Sequence, residues 1–573
     1  MLFHDFLKKT LFNFLSLEFL DKNLKDSLDE SSFNIEIPNK KFGDVSTNIA
    51  MIFCKKLGTS PKDLANRISI YLKKNLFIKD IDIVGPGFIN IHFKSSYWQD
   101  QLKQVFKNLE IYKYKIKKKN ICLEFVSANP TGLMHIGHAR GAVLGDTLSS
   151  ILEEVGHNVT KEYYINDAGE QIKKLINTVI YHSEPKKKKE AHIDDKLYPG
   201  EYLEKLSKTI FKDIKNKNIS NDLIEEKIIN FIMSDIKKDL KMIRVVHDSF
   251  VSEKKNSSKQ TINNFIKILN EKELIYEGFQ GKPKSLNNEE WKKEKLLLFK
   301  SQQLGDDNDR ALMKPNGEPT YFMTDIIYHQ KKIDKNYDIL LNIWGVDHSG
   351  YVKRLENALK QLNLKKKYSF EIKLTSLVNL MNGNKVLKMS KRDGNYVTLR
   401  EVVEEVGCDA LRFMMVSRNA DKKIDFDFET VKLKSKDNPV FYVQYAYARC
   451  KSLIEIFKRT FDYSFDNFNL EELDLSYLNA DEDKNLIIKL SNFFNIIISS
   501  ANFYEPHRIT SYLYELAKDF HAYWGLGKTN TSKKIILDDN FKVSLSRISL
   551  VIVISLIIKK SMDLLKIECP ENM

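Results

Sequence analysis

The spacing of apolar residues changes character twice along the chain. Over residues 1–95 short periodic segments alternate. The opening stretch, MLFHDFLKKTLFNFL, carries apolar side chains at helical spacing interrupted by Asp5, Lys8 and Lys9, which predicts an amphipathic helix and not a secretion signal. A strand at 33–37, helices after Ser46 and after Ser60-Pro61, and paired strands at 81–84 and 88–93 follow, the last two joined by a Gly85-Pro86-Gly87 turn. From residue 118 continuous apolar runs take over. Residues 121–126 read as a buried strand, Asn129-Pro130 and Thr131-Gly132 as a loop, and a helix opens near His135 and runs on through Ala139, Ala142, Val143, Leu148 and Leu152. Runs at 339–343 and 374–380 read as further parallel strands. Between the two groups of runs, from about 181 to 308, the chain is dense in Lys and Glu and predicts a helical insertion; its Pro185-Lys186-Lys187-Lys188-Lys189 run reads as a solvated loop. From Asn438 to the end the period is helical. The most apolar stretch, 548–558, holds Ser549 and Ser555 and falls well short of the ~20 residues that cross a bilayer, so it reads as a buried helix.

Composition adds little beyond these boundaries. A chain of 573 residues calls for three or four domains. The formal charge of +14 fits a polyanionic partner, and it fits equally a Lys- and Asn-rich coding bias. Five scattered cysteines, with no Cys-x-x-Cys pair, argue against a structural zinc site and suit reduced cytosol.

The chemistry is concentrated in two places. Strand, polar loop and helix N-terminus are the usual parts of a phosphate site in an open parallel sheet. At that helix start stands His135-Ile136-Gly137-His138: the glycine lets a nucleotide approach the backbone, and the imidazoles can donate to phosphate oxygens. Far downstream lies a basic loop, Lys388-Met389-Ser390-Lys391-Arg392, followed by Asp393-Gly394. In this order the pair resembles the HIGH and KMSKS motifs of class I aminoacyl-tRNA synthetases. The flanking residues narrow the resemblance to the arginyl-tRNA synthetases: Glu124-Phe125-Val126-Ser127-Ala128-Asn129-Pro130-Thr131-Gly132, Glu162-Tyr163-Tyr164-Ile165-Asn166-Asp167-Ala168-Gly169, Tyr321-Phe322-x-x-Asp325-Ile326, Trp344-Gly345-Val346-Asp347-His348-x-Gly350-Tyr351 and Asp409-Ala410-Leu411-Arg412. It covers nearly the whole chain, loosely around Glu184 and over 217–308. Arg392 stands where other class I enzymes end the motif in Ser.

The resemblance implies an α/β multidomain protein. A small α+β N-terminal domain (1–95) would contact tRNA, a class I Rossmann-type catalytic domain would span 118–430, and an all-α anticodon-binding bundle would span 438–573. It implies that ATP, bringing Mg²⁺, activates arginine, with no resident metal and no covalent enzyme intermediate. His135, Gly137 and His138 with Lys388, Met389, Ser390 and Lys391 would bind ATP, the lysines neutralising the departing pyrophosphate. Arginine, whose guanidinium is always charged, would meet Glu124 and Asp325, with Tyr321 lining the pocket, Ser127 and Asn129 at the amino-acid head, and Asp347 or His348 at the α-amino group or ribose. Without the Tyr321 spacing, Asp325 would read as a helix cap. Asn48, with Lys40, Lys41 and Phe53, and then Tyr442, Tyr445, Arg449 and Lys451, are the candidate tRNA contacts; tyrosines at that spacing are equally the mark of a core face. The partners implied are tRNA(Arg), arginine and ATP, for a cytoplasmic monomer with no membrane contact. Two alternatives stand beside this one: a small-molecule nucleotidyltransferase, which also uses His-x-Gly-His, and a non-catalytic tRNA-binding paralogue. The Lys388–Arg392 motif weighs against the first, and the intact His135, His138 and Lys391 against the second.

Overall fold

The computed structural model describes the whole chain except residues 21–32, 113, 115, 184–196, 199–200, 213–219, 280–293, 384, 388–396 and 467. At its centre is a five-stranded parallel sheet in the spatial order Ser369–Thr375, Ile339–Gly345, Asn120–Glu124, Asn158–Ile165, Ser249–Ser252. Ile121, Cys122 and Leu123 on the middle strand are fully buried, as a strand covered on both faces must be, and this is why it reads as an unbroken apolar run. The chain leaves this strand in one direction for Asn158–Ile165 and Ser249–Ser252, then returns on the other side for Ile339–Gly345 and Ser369–Thr375. The order therefore reverses at Asn120–Glu124. Ligands of open α/β sheets bind beyond the strand C-termini at such a point. The helix Ile136–Glu154 follows, and it lies close to the strand end because Gly145 has no side chain: a Cβ there would overlap the Phe125 ring.

Before this unit the helices Phe3–Leu20, Ile49–Leu57 and Pro61–Leu72 join a four-stranded antiparallel sheet. After it come five long helices, Pro439–Phe461, Asp481–Ser491, Phe493–Asn502, His507–Thr529 and Phe541–Leu564. The last is long and apolar enough to span a membrane but is mostly buried within the protein.

Three sequence expectations need correction. The stretch 181–308 is not purely helical: besides the helices Glu201–Lys212, Asn221–Met242 and Lys259–Glu271 it supplies Ser249–Ser252, the edge strand of the central sheet. It also supplies two strands, Ile275–Phe279 and Lys295–Phe299, of a small antiparallel sheet that Arg310–Ala311 completes. The edge strand is four residues long and half-buried throughout, too short and too polar to stand out as a run. The run 374–380 is not one strand. It spans the end of Ser369–Thr375 and the start of Val378–Asn382, which belong to different sheets. Arg140 explains the break: its buried guanidinium donates to the carbonyls of Ser376 at 2.8 Å, Leu377 at 3.4 Å, Asn419 at 3.0 Å and Lys422 at 2.6 Å. Burial lowers its pKa to about 10. Of 33–37, only Ile35–Glu36 is strand. The Pro185–Lys189 run lies outside the described residues.

Candidate active site

The strand Asn120–Glu124 ends in a backbone turn that few side chains adopt. Val126 (φ 72°) and Ser127 (φ 39°) both sit in the left-handed region. The surroundings over-determine this turn. The Phe125 ring stacks on His247 at 4.2 Å, and His247 Nε2 donates to the Phe125 carbonyl at 3.2 Å. Ser127 Oγ donates to Glu124 Oε1 at 3.1 Å and accepts from the Tyr164 amide at 3.1 Å, while Asn166 Nδ2 donates to the Ser127 carbonyl at 3.2 Å. Beyond it, the Tyr202 hydroxyl donates to the Thr131 carbonyl at 2.6 Å and Asn129 Nδ2 to Gln171 Oε1 at 2.9 Å.

The loop delivers His135 as the N-cap of Ile136–Glu154. His135 Nδ1 accepts from the Gly137 amide at 3.1 Å, His138 Nδ1 accepts from the His135 amide at 3.3 Å, and the two rings stack at 3.8 Å. Accepting at Nδ1 places each neutral ring's proton on Nε2. The pair is thus two N–H donors at the positive end of a helix, a combination suited to phosphate oxygens. Gly137 has a second reason to be glycine: a Cβ would come within 3.0 Å of His135 Cε1. Lys388, Met389, Ser390 and Lys391, expected to work with these histidines, lie outside the described residues. The ends of their segment are placed. Leu387 N donates to Leu380 O at 2.8 Å, and Leu399 N to Met134 O at 2.9 Å, next to a bridge between His135 and Thr398. The stretch that follows the segment, Thr398-Leu399, is therefore held against the loop that delivers His135.

A cluster of carboxylates gathers around Tyr164. Asp325, on the helix Tyr321–Asp334, accepts from the Tyr351 hydroxyl at 2.8 Å. Burial, reinforced by the charges of Glu124 and Glu253, raises its pKa to about 7 although the Tyr351 bond opposes the shift. The helix is capped by Thr320, not by Asp325, which removes the capping role. Glu253, only 5% exposed, follows the edge strand, and burial raises its pKa too, with Asp167 adding to it. Asp167 is fixed by Ser252 Oγ at 2.6 Å and the Lys254 amide at 2.9 Å. The Tyr164 hydroxyl, whose pKa is raised by burial and then by Glu253, Asp325, Glu124 and Asp167, is buried near them with no hydrogen-bond partner among the described residues. Glu124 is different: Lys332 Nζ, itself buried, already holds its Oε2 at 2.6 Å. Tyr321, 62% exposed, opens the helix that carries Asp325. Asp347 and His348 are exposed on the turn after Ile339–Gly345, with Asp347 Oδ2 and His348 Nε2 3.5 Å apart.

Glu253, Asp167, Tyr351 and Lys332, which the structure brings to this carboxylate cluster, were not among the candidates from sequence. Asp167 and Tyr351 stand inside stretches that the resemblance covers, but Glu253 and Lys332 carry no local signal and are gathered only by the sheet.

Of the tRNA candidates, Phe53 is fully buried and is a core residue, not a surface contact. Asn48 is half-buried and its Oδ1 accepts from the Asn34 amide at 2.9 Å. The side chain of Lys40 lies outside the described residues; Lys41 is exposed. On Pro439–Phe461 the Arg449 guanidinium lies 3.7 Å over the Trp524 ring and 4.4 Å over Tyr445, and its Nη1 donates to His521 Nδ1 at 2.9 Å. Tyr442 packs on His521 at 4.5 Å, and Lys528 lies over Trp524 at 4.3 Å. Arg449 is held between aromatic rings, which suits base stacking better than a lone phosphate contact. Lys451 is paired with Glu571 at 2.9 Å.

Comparisons with known proteins cover nearly the whole chain. Residues 7–93 match the arginyl tRNA synthetase N terminal domain, 101–466 the catalytic domain of tRNA synthetases class I (R), and 443–573 the DALR anticodon binding domain. The arginine–tRNA ligase of Rickettsia bellii (strain OSU 85-389) is 40% identical over 544 residues, 93% of this chain and 94% of that protein. The one from Wolbachia pipientis subsp. Culex pipiens (strain wPip) is 41% identical over 548 residues, covering 94% of each. The fold matches the Thermus thermophilus arginyl-tRNA synthetase with a TM-score of 0.70 at 18% identity, over 96% of this chain and 98% of that one. The Plasmodium falciparum arginyl-tRNA synthetase matches with the same TM-score and identity over 98% and 99%.

Proposed function

This chain belongs to the arginyl-tRNA synthetase family, and from that premise we propose how its own residues carry out the ligation of arginine to tRNA. An oxygen of the arginine carboxylate attacks the α-phosphorus of ATP; the bond to the bridging oxygen of pyrophosphate breaks, leaving arginyl-adenylate. A hydroxyl of the terminal adenosine of tRNA(Arg) then attacks the arginyl carbonyl carbon and AMP leaves. Positioning and charge stabilisation dominate such transfers. His135 and His138 donate from Nε2 to phosphate oxygens at the helix N-terminus. Lys388 and Lys391 neutralise the leaving pyrophosphate, with Lys391 carrying the larger share. Mg²⁺ arrives on the nucleotide, which supplies most of its ligands with water.

Asp325 pairs with the guanidinium, Glu253 and Asp167 add negative potential, and the Tyr164 hydroxyl offers a further polar contact. Ser127 and Asn129 meet the amino-acid head. Glu124, already paired, contributes through Ser127. The observation that carries this reading is the carboxylate cluster around the buried Tyr164 hydroxyl, which has no partner among the described residues, in a fold whose neighbouring strand leads into a helix that presents two imidazole donors. The stacked Arg449, Tyr445 and Trp524 receive bases of the anticodon loop. The reaction belongs in the cytosol, where tRNA, ATP and arginine meet, and we read the protein as a monomer. Charging of total tRNA with each of the twenty amino acids tests the assignment: arginine alone is expected, and equal charging of glutamine or cysteine overturns it.

A further inference from the structure

Beneath the amino-acid pocket lies a lysine that no step of the reaction uses. Lys332 is carried by the same helix as Asp325, seven residues on, so both project from one face toward the sheet. It is 1% exposed. Its ammonium lies 2.6 Å from Glu124 Oε2, 3.6 Å from Glu162 Oε1 and 4.0 Å from the centre of the Tyr328 ring. Burial alone would drive its proton off, but Glu124, with Cys122 and Glu162, outweighs burial and its pKa ends above the ordinary lysine value.

The two glutamates are paired residues on neighbouring strands, both almost wholly buried. Two like charges so placed cannot both remain ionised without a cation between them. Glu162 is served by the Tyr328 hydroxyl at 2.8 Å and, more distantly, by Lys335 at 3.8 Å. Glu124 has Lys332 on one oxygen and Ser127 Oγ on the other. The Ser127 turn is held in the left-handed region partly through that bond.

We propose that Lys332 is a positioning residue for the amino-acid pocket: it holds Glu124 as a fixed carboxylate, and through Glu124 it holds Ser127 in the turn that receives the head of the substrate. This rests on the reading of that pocket as the arginine site. The ammonium touches no substrate. Its effect travels through two hydrogen-bonded side chains to a backbone that would otherwise relax.

The test is a mutant cycle on the full-length protein, read by charging of total tRNA. Lys332→Met keeps most of the side-chain volume and removes the charge. It should raise KM for arginine about tenfold to a hundredfold, the equivalent of one hydrogen bond to a charged group, with KM for ATP changed less than about twofold. Glu124→Gln should raise KM for arginine similarly. The double variant should be no worse than the poorer single, because both changes break one chain of contacts. Lys332→Arg, which keeps the charge, should recover part of the loss and guards against the possibility that Lys332→Met fails to fold. If arginine KM is unchanged in Lys332→Met, or if losses in the double variant simply add, Lys332 does not act through Glu124 and the proposal fails. If the parent does not charge arginine at all, the reading of the pocket fails instead, and the two failures are told apart by the parent alone.

Discussion

Replacing Asp325 by Asn separates the charge of the pocket from its shape. The amide keeps an oxygen for the Tyr351 hydroxyl, now 2.8 Å from Asp325 Oδ2, so the helix and the pocket wall should stay in place. What is lost is the counter-charge for a desolvated guanidinium. Removing one partner of a buried ion pair costs about 3–5 kcal/mol, which corresponds to a rise of roughly two to four orders of magnitude in KM for arginine. The remaining carboxylates, Glu253 and Asp167, place the expected effect at the lower end of that range. KM for ATP should stay within about twofold.

The pH profile supplies a second, independent signature. The Asp325 pKa is raised to about 7, so in the empty enzyme the carboxyl is largely protonated below that value. Arginine binding by ionised Asp325 must then release a proton, and kcat/KM for arginine should fall by up to about tenfold per pH unit below pH 7. Asp325→Asn should flatten this limb. Stability responds with the opposite sign. A carboxyl whose folded-state pKa lies above its unfolded value destabilises the fold as pH rises from about 4 through 7, so Asp325→Asn should have a higher Tm than the parent at pH 8 and not at pH 4. The assay is steady-state charging of total tRNA with arginine and ATP varied in turn, with thermal unfolding in parallel. If the arginine and ATP constants rise together, or if the acid limb persists in the variant, Asp325 is a structural residue and the reasoning is wrong.

Three further outcomes follow from other parts of the molecule. Lys391→Ala should slow adenylate formation by about 10²-fold and slow transfer from preformed arginyl-adenylate far less, in single-turnover experiments; intact activation with slow transfer would make the loop an RNA contact. Gly145→Ala should lower stability by about 1–3 kcal/mol through overpacking against Phe125, read as a fall in Tm, whereas an unchanged Tm would mean that the strand end yields freely. Arg449→Lys keeps the charge and loses the planar stack between Tyr445 and Trp524; KM for tRNA should rise several-fold with KM for arginine unchanged, and equal effects on both would place Arg449 outside tRNA binding.

The parts of this architecture that declare themselves locally were legible in the sequence. The strand Asn120–Glu124 is buried on both faces and so forms an apolar run, and His135 and His138 cap the helix that follows it, where strand–loop–helix spacing places them. The helix Phe541–Leu564 was recognisable as buried from the serines that break its apolar run, but not from its length, since its 24 residues are long and apolar enough to span a membrane. What escaped was set by tertiary contact. Ser249–Ser252 becomes a strand only because Asn158–Ile165 offers an edge, and Glu253 enters the pocket only because that strand ends there. Lys332 sits in a Lys331-Lys332 pair that looks like solvated surface, yet one of the two lies in the core, since the helix turns it toward Glu124. Arg449 stood among the candidate tRNA contacts without its stacking partner, because Trp524 comes from another helix.

The central claim is that the carboxylates around Tyr164 select for a cationic side chain. Citrulline matches arginine in length and shape and carries a neutral urea in place of the guanidinium. The decisive measurement is kcat/KM for charging total tRNA with each of the two. A site built to pair a buried charge should prefer arginine by a factor on the order of 10⁴ or more, and Asp325→Asn should cut that preference by at least about tenfold. Comparable values for arginine and citrulline in the parent, or a preference that Asp325→Asn leaves intact, would contradict it.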